Sequence, residues 1–168
     1  MKLFSGGIIT VFAVLILISS ASAQNVKLKP DDISSLSGAK WTGTLTYRDY
    51  GTGKPVTILC DLAVSTRPGE KREWNFAFEY PKEPKANHAD LVELSVDGRT
   101  FDGETVVERK QIGDTLRFVT ETKGDDDNKP ALIRHVYTIS RREFAKTKQV
   151  KFEGASAFIE RNTYKWKR

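Results

Sequence analysis

From Ala39 to the end of the chain, apolar and polar residues alternate with a period of two, the spacing of strands that bury one face. Trp41, Gly43, Leu45 and Tyr47 share one side of an opening strand; Val56, Ile58, Cys60, Leu62 and Val64 share one side of the next. Trp74, Phe76, Phe78 and Tyr80 put four aromatic rings on a single face of a third. The pattern predicts ten strands: 40–50, 55–65, 72–80, 90–96, 99–101, 104–112, 115–122, 131–140, 143–153 and 156–167. Turn residues separate them, among them Gly51-Thr52-Gly53, Arg67-Pro68-Gly69, Asp97-Gly98, Asp102-Gly103, Gly113-Asp114 and Gly154. An Asp-Gly pair between alternating runs is a hairpin signal, and it occurs twice.

One segment departs from this period. Pro30-Asp31-Asp32-Ile33-Ser34-Ser35-Leu36-Ser37-Gly38 has a proline to start a helix, acids at its N-terminus and a glycine to end it. It reads as one short helical turn whose Ile33 and Leu36 pack over an end of the sheet.

The short connections leave no room for parallel crossovers, so the fold class is all-β, an antiparallel up-and-down meander. An even strand count lets first and last strands pair and remove both edges. That closure sets Trp41 beside Trp166 and Arg168, and Tyr47 beside Arg161. Connections after the odd strands then share the end away from the helical turn. The two longest, Pro81 to Ala89 and Lys123 to Pro130, are expected to surround an open mouth there. No repeat, low-complexity tract or linker divides residues 30–168, which form a single β-barrel domain behind a polar lead-in, residues 24–29.

The first 23 residues belong to a different class. Lys2, an apolar run from Ile8 to Ile18 and Ala21-Ser22-Ala23 make a secretory signal peptide with cleavage expected before Gln24. The run is shorter than the roughly 20 residues of a spanning helix, so no stable membrane anchor is expected after cleavage. The expected location is exported, periplasmic or extracellular.

Removing 23 of the 168 residues leaves 145, enough for one domain with its own core. With Lys2 gone the chain has 26 basic and 22 acidic residues, the basic ones spread singly along the strands. That reads as a solvated outer face and argues against a nucleic-acid partner. Cys60 is the one cysteine and sits on an apolar face, so no internal disulfide is available.

The helical turn, the Gly38 to Trp41 opening, a meander of this length and a last strand rich in arginine and aromatics resemble the calycin superfamily, including the lipocalins and fatty-acid-binding proteins. The resemblance implies an 8–10-stranded barrel with an internal cavity for a small hydrophobic or amphipathic ligand. It also implies that Trp41 marks the closed end and is covered by an arginine from the end of the chain, Arg161 or Arg168. Uncharacterised exported bacterial proteins of lipocalin-like type are similar, and they imply no activity.

Candidate site residues follow from parity. Tyr47, Trp74, Phe76, Phe78 and Phe118 are inward aromatics, either a filled core or the walls of a cavity. Arg109, His135, Tyr137, Glu160 and Tyr164 fall on faces otherwise apolar, and polar groups there need partners. One reading has Arg109 and His135 receiving an anionic or polar ligand head, with Tyr137 and Tyr164 adding hydroxyls. The other has Arg109 and Glu160 pairing with each other or with water. Glu104 and Glu108 share a parity expected to face outward. His88 and His135 lack the carboxylate spacing of a zinc site, and Asp125-Asp126-Asp127-Asn128 lacks the alternation of a calcium loop. No nucleophile motif is present, and no cofactor is expected. The function expected is non-catalytic binding of a small, partly hydrophobic ligand. A solid-core envelope interaction protein and, further off, a barrel enzyme remain the alternatives.

Overall fold

The computed structural model describes residues 26–49 and 51–168; the expected leader at 1–23, residues 24–25 and Tyr50 lie outside them. A short helix, α1 (Pro30–Ser34), precedes β1 (Lys40–Arg48), β2 (Pro55–Leu59), β3 (Asp61–Thr66), β4 (Glu73–Glu79), β5 (His88–Glu93), β6 (Thr100–Phe101), β7 (Glu104–Ile112), β8 (Thr115–Asp126), β9 (Lys129–Ile139), β10 (Glu143–Phe152) and β11 (Ile159–Lys167). Strands β2 and β3 are halves of one expected strand. Both pair with β1 in a continuous register, Thr44 opposite Leu59 and Trp41 opposite Leu62. The ladder breaks at Gly43, whose N–H goes to the Asp61 carboxylate at 3.3 Å while its carbonyl accepts the Cys60 N–H.

All neighbours are antiparallel, in the order β5-β4-β3-β1-β11-β10-β9-β8-β7-β6, with β2 beside β1. First and last strands meet as expected, Gly43 opposite Trp166 and Tyr47 opposite Asn162, next to Arg161. The Arg168 guanidinium lies 4.4 Å from the centre of the Trp41 ring, so Arg168 is the covering arginine. The opposite seam is thinner. Leu94 and Phe101 form a single bridge, flanked by the Ser95 N–H to Thr100 carbonyl and Asp102 N–H to Glu93 carbonyl bonds. The result is a calycin-like barrel, nearly closed.

The helical turn shuts one end. The Trp41 indole donates to the Leu36 carbonyl at 2.9 Å, Gly38 N–H reaches Val64, and Leu28 N–H reaches Gly98. Ile33 and Leu36 are buried over this end. Each fastens a chain segment that otherwise would hang free of the sheet.

Two expectations about loops change. The expected loop Lys123 to Pro130 is strand almost throughout: β8 runs to Asp126 and β9 starts at Lys129. Asp127 and Asn128, at φ 53° and 56°, make the two-residue turn whose left-handed backbone matches the twist of a hairpin. The mouth is instead bordered by the Tyr80–Asn87 connection, with its 3-10 turn Pro84–Ala86, and by residues 153–158. The final strand accordingly begins at Ile159 rather than at 156.

Candidate functional site

The strand registers lay the inner wall in rows. Leu116, Ile139, Phe144, Trp166 and Gly43 form the lowest. Above it run Phe118, Tyr137, Lys146, Tyr164, Leu45 and Ile58. The third row is Thr120, His135, Lys148, Asn162, Tyr47 and Val56. A polar belt therefore crosses five strands directly above an aromatic layer.

Burial changes with height. Every side chain of the lowest row is buried, with Trp41, Trp74, Phe76 and Phe101 around it. Phe144 stacks on Trp166 at 4.9 Å and Trp166 on Tyr164 at 5.1 Å. Phe118 lies flat on Tyr137 at 4.3 Å, with Phe101 edge-on to both. Higher up, Leu45, Tyr47, Val56, Ile58, His135, Lys146, Lys148, Asn162 and Tyr164 are only half-buried, although all face inward. The floor is solid and solvent enters the upper half. A cleft of about 290 Å³ also opens between β2 and the Tyr80–Asn87 connection, lined by Thr57, Ile58, Tyr80 and Lys82 among others.

Of the expected site residues, Trp74, Phe76, Phe78, Phe118 and Tyr137 belong to the buried core, while Tyr47, His135 and Tyr164 face the upper space. The other two depart from expectation, Glu160 in the face it occupies and Arg109 in its height and partner, and each lies on a strand that contains an extra residue. Lys148 pairs with Asn162 but Gln149 with Glu160, so Arg161 is a bulge and parity reverses beyond it. Glu160 is therefore exposed on the outer face and accepts a bond from Thr163, and Arg161 reaches Asp126 instead. On β7, Val106 pairs with Thr120 and Glu108 with Val119, leaving Val107 as the extra residue. Arg109 still faces inward, but at the closed end. Its guanidinium grips Asp32 of α1 at 2.6 and 2.9 Å, so its partner is Asp32 rather than Glu160 or a ligand.

The same bulge separates the two glutamates expected to lie outside. Glu108 stays outside with Arg117 and Lys110. Glu104 turns inward, where both carboxylate oxygens lie within 3.0 Å of His135 Nδ1 and the Thr120 hydroxyl donates to it. Burial pushes the Glu104 carboxyl up, but the His135 bond and charge and the Thr120 hydroxyl outweigh that and hold it below the usual range. Asp126 is a second buried acid, held by Lys148 at 2.8 Å and Arg161 at 2.5 Å. Burial raises its carboxyl and the two cations more than reverse the effect.

Asp102, in the turn after β6, has the opposite character. Its φ is +54° and, although the residue is exposed at the surface, partial desolvation of its carboxyl outweighs the opposing pull of Lys146 and, with Glu104 and Asp90, raises it. Near the mouth, His88 opens β5 rather than lying in a loop. It stacks on Phe78 at 4.8 Å, and its Nδ1–H donates to the Ala86 carbonyl. The Tyr80 and Tyr164 hydroxyls lie 3.4 Å apart. Sequence reasoning missed Glu104, Asp126, Lys146 and Lys148; the alternation of Phe144, Lys146, Lys148 and Val150 was the available signal for the two lysines.

No family model and no curated protein sequence matches the chain. Among solved structures, Rv2717c from M. tuberculosis is similar over 82% of this chain and 95% of its own, with a TM-score of 0.55 and 14% identity. The wild-type fluorescent protein UnaG overlaps 81% of this chain and 98% of its own at a TM-score of 0.40 and 13% identity. At such identities the likeness to Rv2717c is one of fold. It agrees with the registers and the nearly closed sheet in making this chain a calycin-like barrel.

Proposed function

We propose that this chain is an exported, non-catalytic barrel that binds a small, partly hydrophobic molecule in its upper half. The observation that carries the reading is the change in burial along the inner wall, from a sealed aromatic floor to inward side chains that solvent reaches. A solid-core protein has no reason to keep Leu45, Ile58 and Tyr164 turned inward yet incompletely packed. Apolar walls supply affinity, and the polar belt above them supplies orientation. The histidine and acid inside the barrel are engaged with each other and with Thr120, an arrangement suited to holding the wall's shape.

Native mass spectrometry of protein purified from its own host tests the binding. The expected spectrum shows a non-covalent adduct that leaves on unfolding; the bare chain mass alone would count against the reading. Export rests on the leader signature and is tested separately. Chain beginning at Gln24 is expected in the periplasmic or culture fraction, and intact chain in the cytoplasm would overturn it.

A further inference from the structure

The inner wall contains many ionisable side chains, and most of them touch a partner of opposite sign. Arg109 is bound to Asp32, His135 to Glu104, and Lys148 and Arg161 to Asp126, all at 2.5 to 2.8 Å. Lys146, one row below the belt, has no carboxylate within 4.0 Å among the described residues and lies over the Tyr137 ring at 5.6 Å. A charged ligand head entering this space must be desolvated and must compete with a partner already seated. At the height of the belt, neither an incoming carboxylate nor an incoming ammonium meets a charge without its partner.

Two polar side chains of the belt stand outside these pairs. Tyr47 on β1 and Asn162 on β11 are directly opposite across the first-to-last strand seam. Both face inward and are half-buried, and neither makes a side-chain hydrogen bond among the described residues. Opposite residues on one face of an antiparallel pair have Cβ atoms about 5 Å apart, close enough to grip one small group together. The phenol donates one hydrogen and accepts; the carboxamide donates two and accepts. Beneath them lie Leu45 and Tyr164, an apolar surface for the rest of a ligand.

We propose that the barrel takes an uncharged amphiphile whose single polar head, a hydroxyl, carbonyl or carboxamide, is received by the Tyr47 hydroxyl and the Asn162 carboxamide. This inference rests on the reading of the upper interior as a ligand space and adds the class of ligand to it. The head sits at the belt and the apolar body lies against the second row.

Three ten-carbon probes of equal length, decan-1-ol, decanoate and decylammonium, separate the possibilities by isothermal titration below their aggregation limits. Decan-1-ol is expected to bind at least about tenfold more tightly than either charged probe, whose head must be desolvated without a free partner. Tyr47→Phe and Asn162→Leu should each weaken decan-1-ol by about 2- to 12-fold, the range of one hydrogen bond, and leave the charged probes unmoved. Near-UV circular dichroism confirms that each variant keeps its packing. If a charged probe binds most tightly, the uncharged head is wrong while the binding reading stands. If decan-1-ol binds best but both variants match the wild type, the assignment to Tyr47 and Asn162 falls. If no probe binds, inference and binding reading fall together.

Discussion

Replacing Gly43 with alanine tests how the barrel is fastened. Gly43 lies in the lowest inner row, opposite Trp166 across the seam between β1 and β11. A Cβ there would sit 2.2 Å from the Lys165 carbonyl oxygen and 2.4 Å from Trp166 Cδ1. The first contact is about 0.8 Å short of the 3.0 Å that real Cβ atoms keep. The backbone oxygen belongs to the ladder and cannot turn away, so the strands must part or the indole must move. Trp166 is buried, stacked on Phe144 and Tyr164, and donates its indole N–H to the Cys60 carbonyl at 2.8 Å. Overpacking of a core costs about 1–3 kcal/mol, and an indole N–H that loses its buried partner adds about 1–3 kcal/mol. We expect Gly43→Ala to lose about 3–5 kcal/mol, a large part of the ~5–15 kcal/mol that holds a domain together. Urea unfolding followed by tryptophan fluorescence measures it; with a slope near 2 kcal/mol/M the midpoint falls by about 1.5–2.5 M. Gly51→Ala is the control, because its nearest neighbour, Asp49 Oδ1, is 3.5 Å away, and it should stay within about 0.5 kcal/mol of wild type. A Gly43→Ala midpoint within about 0.5 M of wild type would refute the claim that this contact fixes the seam.

Arg109→Ala leaves Asp32 without its cation and should raise amide hydrogen exchange across residues 28–36, with a stability loss of about 2 kcal/mol; unchanged protection there would show that α1 is held by its apolar contacts alone. Glu104 has a folded pKa below its unfolded value, so its stabilisation is present above the unfolded value of 4.5 and is lost as pH falls through the folded one. Glu104→Gln should therefore be less stable than wild type at neutral pH, with the difference shrinking in acid, and denaturation curves taken across that range check the slope. Asp102 is raised, so its ionised form weakens the fold. Asp102→Asn should be the more stable protein at neutral pH, and its advantage should disappear as pH falls towards the unfolded value of 3.8.

Alternation in the sequence was enough to read the strands, the closure of first on last and the end at which α1 sits, because each depends on period and count. The side on which Glu104 and Glu160 emerge depends also on bulges, and a bulge is one added residue with no composition of its own. Val107 and Arg161 look like ordinary members of their strands, yet the first turns Glu104 inward and the second turns Glu160 out. The acidic run at 125–128 reads as a loop for a different reason: its polarity is real, but Asp126 is neutralised by Lys148 and Arg161 from distant strands. Which charges would be paired inside was thus a matter of register. The inward side of Trp74, Phe76, Phe78 and Phe118 depended on parity alone and was legible, whereas the choice between a filled core and a cavity wall was left to packing.

Cys60 has a use that follows from where it lies. Its side chain is fully buried under the seam, and burial is the chief reason its thiol is held above the usual range. An alkylating reagent meets it only after β1, β2 and β11 have come apart. In excess reagent, the rate at which the chain gains one label becomes a direct clock for opening of the barrel, and ligand added beforehand should slow that clock.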